Sequence, residues 1–495
     1  MKQAGAHLSS LVFLVLMALS LRGINKVLEP NFVYENSWWP STSSFHEFYQ
    51  MPRNSLDVIF LGSSTMASAM CPQVVYDETG IRSYNLASDQ QSILISSYWL
   101  EEALRFQHPR AFVVDVKYMF EGTGNPVNTS EPFVRKALDT MKLSPVKIRA
   151  VSEVCRLENQ SRISYYLTNI RFHDRWKVLE RGDLNLPASL HCELMGFVLQ
   201  QPVPGSLRLA GWAPPGEEEI LSAEAAVPRD NMMTGLERMA RDCRDSGVPL
   251  VLLNLPGNYL TAGQTRLMRD FAAENGLRFV NMEDEEVLSS FHLKGDEAFF
   301  SHADGECAAR QSAWVAHLLQ EELGIEGCRE ERYEQRRAYY AHAMQAFRLK
   351  KAASLREYLE IAGGDPSFSV LFSLRFGMPR LREEDQQALF GFGLATDLRE
   401  LPEGATYVAA KVGDQVREKA WTEPLEMEGR LQDPYRIYRL TSSNATFEGT
   451  SKVEVEGMET CLNLRGLNIV VFDELQGKAT DAVCLATEGD GLLMR

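Results

Sequence analysis

A surplus of basic residues is missing from this 495-residue chain: Lys and Arg total 51 against 67 Asp and Glu, a formal net charge of −16. Without that surplus there is little to displace the counterions of a phosphate backbone, so sequence-independent nucleic-acid binding is excluded. Cysteine is sparse, with eight residues at positions 71, 155, 192, 243, 307, 328, 461 and 484 and no C-x-x-C pair. That spacing carries neither a zinc nor a thioredoxin-type signal, and it is too thin for a disulfide scaffold. A single bridge between Cys461 and Cys484, on neighbouring predicted strands, is the one pairing considered. No metal and no cofactor is expected. Long apolar runs are scarce too. The main one, Leu8 to Leu21, follows Lys2 and is closed by Arg22. It is short for a bilayer-spanning helix, which needs about 20 apolar residues, although Ala4 to Ala6 extend it. Both a signal peptide and a signal-anchor fit residues 1–28.

What the chain does have is a short apolar strand, Val58 to Leu61, running into Gly62-Ser63-Ser64 and a helix-compatible stretch. A strand that hands a serine to a helix start through a glycine turn exposes the hydroxyl and aims backbone N–H groups at an oxyanion formed beside it. Ser64 is therefore the candidate nucleophile, and its own N–H a candidate oxyanion donor. Its base is sought in a late loop, where His302 stands just before a helical run from Ala308 to Leu319. Between them the pattern alternates strand and helix: Ser83–Leu86, Ser92–Phe106, Ala111–Val116, then Val248–Asn254, Thr265–Asn275 and Phe279–Asn281. Such alternation calls for a parallel sheet covered by helices, with ligands at the carboxyl ends of the strands.

The blocks Gly62-Ser63-Ser64, Tyr84-Asn85-Leu86-Ala87 and Ser301-His302-Ala303-Asp304 resemble those of the SGNH/GDSL hydrolase superfamily. The nearest branch is the membrane-anchored one that includes alginate O-acetylation and D-alanine transfer proteins. The resemblance covers roughly residues 50–325 and implies a flavodoxin-like α/β domain. It also implies a serine esterase or O-acyltransferase, with a membrane-bound acyltransferase as partner and a glycan or acylated polymer as substrate. The chain departs from the family at three places. Ala87-Ser88-Asp89-Gln90-Gln91 lacks the glycine that donates to the oxyanion, which leaves Asp89, Gln90 and Asn85 as candidates. Lys117-Tyr118-Met119-Phe120 stands where Gly-x-Asn-Asp is expected. Phe299 replaces the aspartate that orients the histidine, so Asp296 upstream is the candidate for that role and Asp304 the closest aspartate downstream.

Residues 121–230 read as a helical insertion, with Glu131–Met141, Val146–Leu157 and Ile163–Leu167 at helical spacing. His173, Arg175 and Trp176 resemble a His-x-Arg-Trp pattern of the same branch; an aromatic beside a cation is suited to lining a glycan cleft. Asn258, in the turn after Asn254, is a further substrate-binding candidate. Residues 326–358 read as a charged helical linker, whose Arg332, Arg336, Arg337, Lys350 and Lys351 give it a basic face.

From about Ala362 the pattern turns to β, as a mostly-β (α+β) module over residues 360–490. Its Phe368–Ser373, Leu394–Leu398, Gly449–Ser451 and Asn463–Asp473 segments resemble the FAM3/ILEI-like, lectin-type domain also found in the stem of a protein O-mannose N-acetylglucosaminyltransferase. That resemblance implies carbohydrate binding, with Arg465 and Asn468 as candidates. The expected function is thus an extracytoplasmic, membrane-anchored esterase or O-acyltransferase with a glycan-binding module. The alternative is a catalytically degenerate glycan-binding or assembly protein.

Overall fold

The computed structural model describes residues 2–28, 41–120, 122, 124–179, 192–200, 230–258, 260–290, 302–376, 381–402, 404–443, 449–486 and 493–495. Asp296 and Phe299 lie outside these residues. The chain divides into two compact units, residues 1–340 and 341–495.

The first unit is built on a five-stranded parallel sheet of β1 (Val58–Leu61), β2 (Ser83–Asn85), β3 (Ala111–Asp115), β4 (Leu250–Asn254) and β5 (Arg278–Asn281). Its order is β2-β1-β3-β4-β5, that of flavodoxin-like doubly wound sheets. Strands β1 to β4 are buried along their whole length, which is why β1, β3 and β4 read as largely continuous apolar runs rather than alternating ones. Helices cover the sheet: α3 (Ser64–Ala69) and α4 (Pro72–Thr79) follow β1, and α5 (Ile93–Leu104) follows β2.

After β3 come α6 (Lys117–Phe120), α7 (Glu131–Leu138), α8 (Pro145–Leu157) and α9 (Thr168–Phe172), with a 3-10 turn at His173–Lys177. The chain returns through α10 (Asp230–Ser246), which packs on α5, and continues into β4. Then follow α11 (Ala262–Asn275), α12 (Glu285–Ser290) and α13 (Gly305–Leu323). Two helices precede β1. These are α1 (Lys2–Leu28), whose Ser10–Leu28 stretch is long and apolar enough to cross a membrane or to serve as a signal sequence, and α2 (Ser41–Phe48).

The helix α14 (Glu331–Lys351) runs across the division between the units. Its basic residues are less free than their sequence suggests. Arg336 is buried against Glu47, Arg337 Nη2 holds Asp77 at 2.8 Å, and Arg332 donates to the Met51 sulfur at 3.2 Å. Tyr333 is buried in the first unit's core and donates to Ser83 O at 2.7 Å, so this part of the expected linker is packed core.

In the second unit, α15 (Leu355–Gly364) and α16 (Glu383–Phe392) accompany two antiparallel sheets. One has the order β15 (Leu493–Met494), β14 (Lys478–Ala486), β13 (Gly466–Asp473), β6 (Phe368–Arg375), β7 (Thr406–Val412), β8 (Gln415–Trp421), the other β12 (Met458–Glu459), β11 (Ser451–Val455), β10 (Ile437–Ser442), β9 (Leu425–Arg430). The central pair, β6 (Phe368–Arg375) and β13 (Gly466–Asp473), is buried on both faces. On β6, Val370 and Phe372 pack with the helices while Leu371, between them, faces the second sheet's Met427, Tyr438 and Leu440. This is the period-two alternation of a strand set between two layers. Strands β8 (Gln415–Trp421) and β9 (Leu425–Arg430), which join the sheets, escape the sequence reading because their residues are largely polar and exposed. Cys461 and Cys484 are both free thiols, so the considered bridge is absent.

Candidate active site

Strand β1 delivers the chain to Gly62, whose φ of +153° and close approach to β3 both demand glycine. A Cβ there would stand 2.7 Å from Asp115 Cβ. Ser63 follows as the N-cap of α3: its hydroxyl oxygen accepts from Thr65 N at 3.3 Å and its proton goes to Asp115 Oδ2 at 3.0 Å. Ser64 opens α3, and its Oγ lies 2.8 Å from His302 Nε2. These two residues, 238 positions apart, are the pair expected from sequence.

The helix after His302 fixes its position. Asp304 caps α13 by accepting from Glu306 N at 3.1 Å and Cys307 N at 3.0 Å. Ser312, one face further along α13, donates to Ala69 O at 3.0 Å and accepts from Cys71 N at 2.8 Å, which locks α13 against the end of α3. Burial, and after it the charge of Lys117, lowers the His302 pKa to about 4. The imidazole is therefore neutral at physiological pH and able to accept a proton from Ser64.

Asp115, at the carboxyl end of β3, anchors a polar floor behind the serine. Besides Ser63 it accepts from Lys117 N at 3.0 Å and from Asn258 Nδ2 at 2.9 Å. Burial raises its pKa, and these donors together with the Lys117 charge pull in the opposite direction. Asn258 also donates to Asn254 Oδ1 at 3.1 Å, and Asn254 in turn to Asn281 at 2.7 Å and Glu283 at 2.9 Å. The network thus ties together the ends of β1, β3, β4 and β5. The Oδ1 of Asn258 is buried and has no hydrogen-bond partner among the described residues, which leaves this acceptor unused by them beside the site.

The oxyanion candidates separate by what their donors already do. Asn85 is fully buried; its amide donates to Met66 O and Met70 O, both at 3.0 Å, and its N–H goes to Met195 O at 3.0 Å. It holds α3 to β2 and has no donor left, which removes it as an oxyanion ligand. Gly196, beside Met195, is needed for that contact, since a Cβ would come within 1.9 Å of Asn85 O. The loop after β2 is drawn to the serine turn by Ser88 N, which donates to Gly62 O at 3.2 Å. The N–H groups of Ser64, Asp89 and Gln90 find no acceptor among the described residues, and Gln90 sits at φ +46°. These three are available donors. The Asp89 carboxylate is paired with Lys136.

Sequence reasoning passed over Lys117, a buried cation whose charge acts on both Asp115 and His302. Its signal was its place two residues past the end of β3, where the family block is absent.

The proposed glycan contacts are scattered. Arg175 donates to Leu28 O at 3.0 Å, His173 Nδ1 lies 3.0 Å from Ile170 O, and Trp176 is 66% exposed. In the second unit Asn468 is fully buried, with its amide bonded to Leu464 N and O at 3.0 and 2.8 Å. It shapes the loop before β13 and is unavailable to a ligand. Arg465 is exposed, with its guanidinium 4.4 Å from the centre of the Phe376 ring. A cleft of about 810 Å³ opens elsewhere in this unit, lined by residues of β7 to β10 that include Asp414, Arg417, Glu428, Arg430 and Tyr438.

Among the described residues no group of acidic, histidine and cysteine side chains forms a metal site. No family model and no curated protein matches this sequence. Among solved structures, a GDSL-like lipase of Bacteroides thetaiotaomicron is similar with a TM-score of 0.25 and 9% identity, over 57% of this chain and 99% of that one. Similarity at that level carries no argument about function.

Proposed function

We propose that the chain is an extracytoplasmic, membrane-anchored esterase or O-acyltransferase of the SGNH type, acting on a cell-surface or secreted glycan. The observation that carries this reading is the 2.8 Å approach of Ser64 Oγ to His302 Nε2 in a site where the imidazole is neutral. With its proton on Nδ1, His302 takes the Ser64 proton as Oγ bonds to the acyl carbonyl carbon. The resulting oxyanion is assigned to the N–H groups of Ser64, Asp89 and Gln90. Its collapse breaks the bond to the leaving oxygen, which receives the proton from His302, and leaves acyl-Ser64. Water or a glycan hydroxyl then attacks the acyl carbon through the same base, and Ser64 leaves as the free hydroxyl. The acyl group comes from an acylated polymer or is delivered by a membrane-bound acyltransferase partner, and the C-terminal unit binds the glycan on the same chain, which raises its effective concentration for the catalytic unit.

The test measures acetyl release from p-nitrophenyl acetate and from an O-acetylated glycan by the parent chain and by Ser64→Ala. Activity in the parent that is lost in a folded variant supports the serine as nucleophile. Equal rates in both, or none in either, favour the second reading, a glycan-binding or assembly protein without chemistry. The observation on that side is the cleft between β7 and β10, whose mixed charges and Tyr438 suit a polar ligand. Glycan-array binding by the full chain then becomes the deciding measurement.

A further inference from the structure

We propose that the segment from Ile163 to Val178 is a membrane-interface seat: it lies in the headgroup region of a bilayer beside the outer end of α1. The inference rests on the anchored reading of α1.

Three observations carry it. The apolar stretch Ser10–Leu28 is 19 residues long, and only 6% of it is buried. At 1.5 Å per residue it spans about 28 Å, close to the roughly 30 Å of a bilayer's hydrocarbon core. Asn25 to Leu28 therefore fall at the boundary between hydrocarbon and water.

The segment 163–178 is fastened to that end of the helix. Asn169 N donates to Asn25 Oδ1 at 2.9 Å, and Arg175 Nη1 donates to Leu28 O at 3.0 Å. The second bond occupies one of the last carbonyls of α1, which have no partner within the helix, and puts a cation at its negative pole. Whatever depth α1 takes, this segment shares it.

Its exposed side chains suit that depth. Trp176 is 66% exposed, Val178 67%, Ile163 51%, Ile170 42% and Tyr166 36%. Five large apolar side chains exposed within sixteen residues are costly in water, whereas at a membrane surface Trp and Tyr are the favoured residues. Two cations of the segment are already paired, Lys177 with Asp174 at 2.9 Å and Arg171 with Asp139 at 3.5 Å. The apolar side chains carry the seat, so a neutral bilayer is the surface on which it is tested. Arg175 and Trp176 then serve the membrane rather than a glycan cleft.

One helix connects the seat to the candidate active site. On α7, Arg135 donates to Ser164 O at 3.0 Å and stacks 3.4 Å from the centre of the Tyr165 ring, while the adjacent Lys136 pairs with Asp89. The loop that supplies the oxyanion N–H groups is in this way braced against the segment that meets the bilayer.

The test reconstitutes the full chain in neutral phosphatidylcholine vesicles containing lipid brominated near the top of its acyl chains, and compares tryptophan emission with that of Trp176→Phe. Because Trp176 is largely exposed, the substitution leaves the fold intact. The expected result is a bromine-quenched component in the parent that is lost in the variant and is insensitive to salt. A chain that floats with the vesicles but shows equal quenching in both proteins overturns the seat and leaves the anchor standing. A chain that does not float with vesicles overturns the anchor and the seat together.

Discussion

Asp115 accepts the hydroxyl of Ser63 at 3.0 Å, one residue before the serine that meets His302. The bond sets the nucleophile turn on the end of β3, and the same carboxylate holds Asn258 at 2.9 Å. Replacing Asp115 by Ala strands the Ser63 hydroxyl, the Lys117 N–H and one amide hydrogen of Asn258 in a buried place, at a cost of about 1–3 kcal/mol for each group left unpaired. Asp115→Ala is expected to lower the unfolding midpoint of the first unit and to abolish esterase activity. Asp115→Asn, which keeps an acceptor for Ser63, is expected to recover most of the stability. Denaturant unfolding followed by tryptophan emission reads both.

His302 must be neutral to accept the Ser64 proton, and its pKa is lowered to about 4 by burial first and Lys117 second. Activity is therefore expected to fall only as pH drops through about 4, rather than through the ordinary histidine value. In Lys117→Met the cation is gone and burial stays, so the acidic limb moves upward part of the way toward that ordinary value. A pH profile of kcat/KM that is the same in both proteins would contradict the role given to Lys117.

Gly62 has no room for a methyl group. Beyond the Asp115 contact, its Cβ would lie 3.0 Å from Met66 Cβ on α3. Gly62→Ala must push the turn away from β3 and carry Ser64 with it. Overpacking of this kind costs about 1–3 kcal/mol, and a displacement near 1 Å at a reacting atom costs on the order of a hundredfold in rate. Thermal melts and hydrolysis of p-nitrophenyl acetate are the checks.

His342 in the second unit is held by two carboxylates, Nδ1 2.6 Å from Asp365 and Nε2 2.9 Å from Asp473, with all three side chains buried. Burial pulls its pKa down, but the bonds to Asp473 and Asp365 outweigh burial and the net shift is upward. A histidine whose folded pKa is raised contributes its full stability below the unfolded value of about 6.5, and loses it as pH rises through the folded pKa. The second unit is thus expected to weaken on the alkaline side. His342→Ala leaves two buried carboxylates without their cation, costs about 3–5 kcal/mol, and flattens that pH dependence. Urea midpoints measured across the neutral to alkaline range decide it.

The strands of the first unit and their parallel direction follow from features that are local in the chain. Continuous apolar runs at 58–61, 111–115 and 250–254 mark strands buried on both faces, and the helical stretches between them require parallel crossovers. The same locality put Ser64 after a glycine turn and His302 before a helix, so the pair could be named before its geometry was known. Strands β8 and β9 left no comparable mark, because an exposed strand that carries charges on both faces has no apolar period to read.

Tertiary structure decided which polar residues are free. Asn85 and Asn468 look in sequence like groups waiting for a ligand, yet each spends its amide on nearby backbone that only the folded chain brings within reach. Arg175, a sugar-cleft candidate in sequence, donates to Leu28 O at the end of α1, a contact that only the folded chain supplies. Composition and period fix where the backbone turns and which face is buried. A hydrogen bond depends on which atoms lie within 3 Å, and residues as far apart as Ser63 and Asp115, or Ser64 and His302, acquire that relation only when the sheet has assembled.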